Sequence, residues 1–141
     1  DTRVFAGCVT GRRNWPLLPA EKIKGVRLAS ALSHVELRLV ERADDAQRPV
    51  LRMARVHEVA HSNFAGFNRA QAAVIEGAVL VSRLHMLPPL KVDSEMAYLQ
   101  IAIDKTAGPG EREAWDWLVD AVQRQRADTA KIANVTTGTS K

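Results

Sequence analysis

Three charged side chains recur at seven-residue intervals in FNRAQAAVIEGAVLVSRLHML, residues 67 to 87: Arg69, Glu76 and Arg83. Seven residues make about two helical turns, so the three stack along one narrow stripe with apolar side chains on both flanks. One chemistry open to them is anion binding. Asn68, Arg69 and Arg83 supply the donors of a clamp for a phosphate or carboxylate, and a helix N-terminus adds its own N–H groups and positive potential. The other reading is structural, because a charge on an apolar helix is tolerated only when it is paired. At about 10 Å per heptad along the axis the three cannot all touch one another. They would need partners elsewhere: an arginine on a neighbouring strand for Glu76, and Asp93, Asp104 or backbone carbonyls for the arginines. Ion-pair networks are the commoner use of such groups, and both readings stay open.

The remaining reactive residue types give less. His57 and His61 are four apart, a metal-ligand spacing on a helix, but VLRMARVHEVAH reads as a strand, where a spacing of four only returns to one face. No third ligand stands near them in the sequence, so no metal site is expected, and His34 and His85 read as capping or interface residues. Trp15, Trp115 and Trp117 read as core or interface anchors. The single cysteine, Cys8, excludes an internal disulfide and a four-cysteine zinc site, fits a reducing cytoplasm, and reads as a small buried apolar side chain. No Ser-His-Asp, Cys-His or paired-carboxylate arrangement has a recognisable spacing, which leaves hydrolytic chemistry without support.

Composition bounds the architecture that must position these residues. A chain of 141 residues, 46% hydrophobic and 26% charged, can bury a core of one domain or slightly more. The net charge of +4 raises nucleic-acid binding, but the basic residues are scattered among Pro, Leu and acidic positions, and 5% aromatic content leaves few stacking platforms. No nucleic-acid partner is expected. No apolar run reaches the roughly 18 residues of a membrane span, so no membrane partner is expected either. The chain starts at Asp1 without a signal-peptide pattern, which suggests a trimmed chain or one that begins partway through a longer protein.

Patterning divides the chain near Phe67. Arg3 to Thr10, β-branched and small, reads as a strand remnant; RRNWPLLP reads as a proline-bounded loop and EKIKGVRLASALSH as a short helix or irregular segment. VELRLVER alternates Val35, Leu37 and Leu39 and reads as a strand, joined by the turn residues of RADDAQRP to an antiparallel strand over Val50 to Val59. Too few strands are present to close a barrel, so residues 1 to 66 read as the remainder of a larger sheet. From Phe67 the period turns helical. Asn68 caps a helix that Pro88 and Pro89 stop, a second helix carries Val92, Met96, Leu99 and Ile103 on one stripe, and Pro109 opens a third that buries Trp115 and Leu118. The helical domain is expected over residues 67 to 126, followed by a loosely ordered tail over 127 to 141.

The runs GFNRAQAAVIEGAVLVSRLHMLP and IAIDKTAGPGEREAWDWL, with FNRA, the Arg83 to His85 segment and KTAG with EREAW as their strongest signals, closely resemble the C-terminal part of the domain-of-unknown-function family 447. The resemblance covers roughly Val35 to Gln123. It implies an α+β fold: a partial antiparallel split β-barrel of the FMN-binding, flavin-reductase-like type, followed by a small three-helix domain. It further implies FMN as cofactor, with its main binding residues in an N-terminal part that has no counterpart here, and a homodimer for the complete protein, or a separate chain or segment that supplies the missing strands. The function it suggests is an FMN-dependent oxidoreductase or flavin carrier linked to tetrahydromethanopterin-dependent one-carbon metabolism. The alternative is a noncatalytic binding or assembly module whose helical half docks a partner.

Overall fold

The protein, in a computed structural model, is described over residues 1–137. In chain order the elements are α1 (Thr2–Val9), β1 (Leu17–Pro19), β2 (Val26–Leu28), β3 (Ser33–Ala43), β4 (Val50–Ala60), α2 (Arg69–Ser82), α3 (Pro89–Thr106) and α4 (Pro109–Thr137). The class is α+β. Two compact units contain them, a strand unit of Asn14–Gly66 and a helical unit of Asp1–Arg13 with Phe67–Lys141.

In the strand unit, alternation and turn chemistry set the pairing. β3 and β4 form an antiparallel hairpin with Ala43 opposite Val50 and Glu36 opposite His57. Irregularities between Leu39 and Glu41, and between Glu36 and Leu37, shift the register in opposite senses and cancel, so the pairing set at the turn is restored at the far end. β1 and β2 form a second antiparallel pair, with Leu18 opposite Arg27, within stretches expected to be a loop and a short helix or irregular segment. The prolines concealed β1: Pro19 ends a three-residue edge strand, where it forfeits no central ladder bond. A backbone bond of 2.9 Å from Ala20 N–H to Gly25 C=O closes the β1–β2 connection.

The two faces of β3 differ in chemistry because side chains alternate along a strand. His34 and Glu36 lie on one face, Val35, Leu37 and Leu39 on the other. That apolar face is exposed, with Leu39 51% accessible and Met53, its cross-strand partner, 43%.

In the helical unit the opening segment is a helix, which corrects both the expected strand remnant and the expected three-helix count. Asp1 caps it by accepting from the Arg3 N–H at 3.1 Å, and Thr2 and Ala6, one turn apart, are buried on its inner face. Burial of that face outweighs the weak strand propensity of Val4, Val9 and Thr10. Cys8 falls on the outer side and is exposed, not buried as expected. Residues 1–13 accordingly belong to the helical unit.

Asn68 caps α2 as its sequence predicts, and α2 ends at Ser82, ahead of the prolines. Its inner face is lined by small buried residues, Ala70, Ala73, Gly77 and Ala78, and at Gly77 the side chains of Trp115 and Leu118 from α4 come close. The indole of Trp115 fills the space above Gly77, and a 2.6 Å hydrogen bond from its Nε1 to Oε1 of Gln100 fixes the ring. Val74, Ile103, Trp115 and Leu118 form the centre of the core. Arg12 lies over the Trp117 ring, 4.5 Å from its centroid, and joins the segment after α1 to α4 by a cation–π contact.

α4 continues past Arg126 to Thr137, where a loosely ordered segment was expected. Alanines at 127 and 130 are strong helix formers, the Thr129 hydroxyl donates back to the Gln125 carbonyl, and Asp128 pairs with Lys131 at i, i+3. The last four residues of the expected tail, 138 to 141, lie outside the described residues.

Candidate functional site

The densest group of reactive side chains lies in the strand unit, around Glu36. This carboxylate is 2% exposed, the most deeply buried acidic group among the described residues. The β1–β2 turn closes over it. Oε1 accepts from the Glu21 N–H at 2.7 Å, and Oε2 accepts from the N–H groups of Lys22 at 2.7 Å and Ile23 at 3.0 Å. Successive backbone amides converging on one anion make a nest, so Glu36 both anchors the turn and is held ionised by it. Burial opposes that ionisation, but the three amides and the His34 imidazole outweigh it and bring the carboxyl from 4.5 down to about 2.

His34, two residues back on the same face, places Nε2 3.1 Å from Oε1 of Glu36. Its Nδ1 lies 2.9 Å from Nε2 of His61, with the two rings stacked at 5.0 Å. An ionised carboxylate only accepts, so in the neutral rings His34 carries its hydrogen on Nε2 and Nδ1 accepts from Nε2–H of His61. Burial, then the positive charge of Arg27 and the neighbouring His34, lower the pKa of His61 below 6.5 against a weaker opposing pull from Glu21. His57 meets His34 edge to face at 5.9 Å. Its Nε2 is 3.3 Å from Oε2 of Glu21 but lacks hydrogen-bond alignment, so this buried nitrogen has a carboxylate neighbour and no hydrogen bond among the described residues.

Register brings these residues together. His57 pairs directly with Glu36, and His34 pairs with Val59. Donor atoms of His34, Glu36 and His57 all lie within 4.8 Å of one another. The reading of His57 and His61 as a pair without a third ligand nearby is corrected for His57, whose neighbouring donors are His34 and Glu36, brought by the strand across the hairpin and not by the adjacent sequence. HVE at 34–36 facing HEVAH at 57–61 is the signal that would have revealed it.

The residues expected to form an anion clamp are placed differently. Asn68 is committed to structure: Oδ1 accepts from the Ala70 N–H at 2.8 Å and Nδ2 donates to the Thr106 carbonyl at 3.2 Å. Arg69 is at the first position of α2 and Arg83 is its C-cap. Fourteen residues of helix put them about 21 Å apart along the axis, too far to share one small anion. The stripe is also not an ion-pair ladder. Arg69, Glu76 and Arg83 are all exposed, and among the described residues none of the three makes a side-chain ion pair or hydrogen bond. Solvent meets the need for partners that burial would have imposed. Asp93, considered as one partner, pairs with Arg126 instead, and Asp104 accepts from Gln100. Glu76 lines a groove with Leu80, Tyr98 and Leu99, and His85 lines another with Leu87, Val92 and Arg126.

Comparison with known proteins gives the fold a relative. No curated protein matches the chain. Residues 68–120 match the C-terminal model of the family described as protein of unknown function, DUF447. The chain is similar in structure to the FMN-bound protein MM1853 of Methanosarcina mazei, a DUF447 protein, with a TM-score of 0.59 and 17% identity over 76% of this chain and 58% of that one. It thus spans little more than half the length of that neighbour. No helix among the described residues is long and apolar enough to cross a membrane. Family match and fold likeness agree that this chain resembles the C-terminal part of a DUF447 protein.

Proposed function

We propose that the chain is part of an FMN-binding protein of the DUF447 type. The observation that carries this reading is the fold likeness to an FMN-bound DUF447 protein together with a match to the C-terminal DUF447 model over residues 68–120. The fit of the residues to FMN is partial. Arg69 keeps an exposed guanidinium without an ion pair among the described residues, at the positive end of α2, and would hold the phosphate there. Asn68 is spent on its cap, and Arg83 is too distant to join it. The isoalloxazine contacts come from elsewhere in the full protein or from a second copy. The exposed face of Leu37, Leu39 and Met53 supports this, since an uncovered two-stranded hairpin is marginal in water and needs further strands upon it. A homodimer meets that need.

Bound FMN would supply electron transfer, which makes an oxidoreductase role, linked to tetrahydromethanopterin-dependent one-carbon metabolism in a cytoplasmic setting, the finer form of the proposal. A second reading, a noncatalytic docking module, is favoured by the exposed apolar residues Ile75 and Val79 of α2 and Tyr98 and Ile101 of α3. The visible spectrum of the purified full-length protein separates the two. Flavin bands favour the first, and a colourless protein that takes up no added FMN favours the second.

A further inference from the structure

We propose that His34, Glu36 and His57 bind a divalent cation of the zinc class. Two imidazole nitrogens and one carboxylate oxygen are the donor types that zinc takes, whereas calcium and magnesium need several more oxygens than the group offers. Ligands at zinc's usual bond lengths in a tetrahedral array stand about 3.3 Å apart. Nε2 of His34 and Oε1 of Glu36 are already 3.1 Å apart, and one ligand atom from each of His34, Glu36 and His57 lies within 4.8 Å of the other two. His57 presents a buried Nε2 without a hydrogen bond among the described residues, and Oε2 of Glu21, 3.3 Å from it, is within reach as a fourth donor.

The surroundings suit ligation. The turn amides hold the Glu36 carboxylate in place, and replacing the His34 hydrogen bond by a cation leaves Oε1 one backbone donor and one metal. His61 provides the outer support that ligating histidines need. Once Nε2 of His34 is taken by the cation, its hydrogen is carried on Nδ1 and donated to Nε2 of His61, whose own hydrogen moves to Nδ1. Both rings exchange tautomers and the proton count of the pair is unchanged. The proposal does not depend on FMN binding.

The test is titration of the chelator-treated full chain with Zn2+ by calorimetry and with Co2+ by visible absorption, with far-ultraviolet circular dichroism confirming the fold of each variant. One equivalent of Zn2+ per chain and a tetrahedral Co2+ spectrum are expected. His61→Ala should weaken binding about 10- to 100-fold, the usual outer-ligand effect, and His34→Ala or His57→Ala by more than about 100-fold. His85→Ala should leave it unchanged. Glu36 is spared in the variant set because its loss also releases the β1–β2 turn. Absence of stoichiometric uptake by the folded chain, or uptake unaffected in folded His34→Ala and His57→Ala, would overturn the proposal.

Discussion

Glu36 and His57 face each other across the β3–β4 hairpin, the first buried under three backbone amides and the second with a buried Nε2 that makes no hydrogen bond among the described residues. The Glu36 carboxylate ties the β1–β2 turn to the face of the β3–β4 hairpin.

The first consequence is a pH dependence. Glu36 has a folded pKa of about 2 against 4.5 unfolded, so between those values the unfolded chain binds more protons than the folded one. Its stabilisation is fully present above pH 4.5 and is lost as pH falls through about 2. Urea midpoints followed by tryptophan fluorescence, to which Trp15 contributes from the strand unit, should fall across that window. Glu36→Gln should lower the midpoint at neutral pH and flatten the slope; an unchanged slope would contradict the role given to the carboxylate.

Gly77 makes the opposite of the usual prediction for a helical glycine. Alanine in its place gains about 1 kcal/mol of helix propensity. Its Cβ, however, would sit 2.8 Å from the Trp115 ring and 3.1 Å from Leu118, and the Gln100 bond keeps the indole from turning away. Overpacking costs about 1–3 kcal/mol, so Gly77→Ala should destabilise the helical unit in denaturant unfolding. A gain in stability would show that the core yields there.

Asn68 and Arg69 are neighbours with separable roles. Asn68→Ala removes the cap and its bond to Thr106, which should cost about 1 kcal/mol. Arg69→Ala should leave unfolding nearly unchanged, because its exposed side chain has no partner among the described residues, yet weaken FMN binding. If Arg69→Ala binds FMN as tightly as the parent, the phosphate contact is elsewhere.

Elements with a strong local signal were legible in the sequence. The alternation of Val35, Leu37 and Leu39 marked β3, the polar RADDAQRP marked its turn, and Asn68 and Pro109 marked helix starts. What escaped was set by tertiary context. α1 is helical because Thr2 and Ala6 are buried against other helices, not because its residues favour helix. The histidine cluster depends on cross-strand register, which spacing along the chain does not carry. The heptad charges suggested burial because their flanks are apolar, but the flanking Ile75 and Val79 are themselves partly exposed.

FMN binding is the centre of the functional account, and fluorescence titration of FMN with the full-length protein tests it most directly. Saturable quenching at one FMN per chain, weakened by Arg69→Ala in a variant that stays folded, is the predicted result. Unquenched FMN at protein concentrations well above those of the cofactor would contradict it.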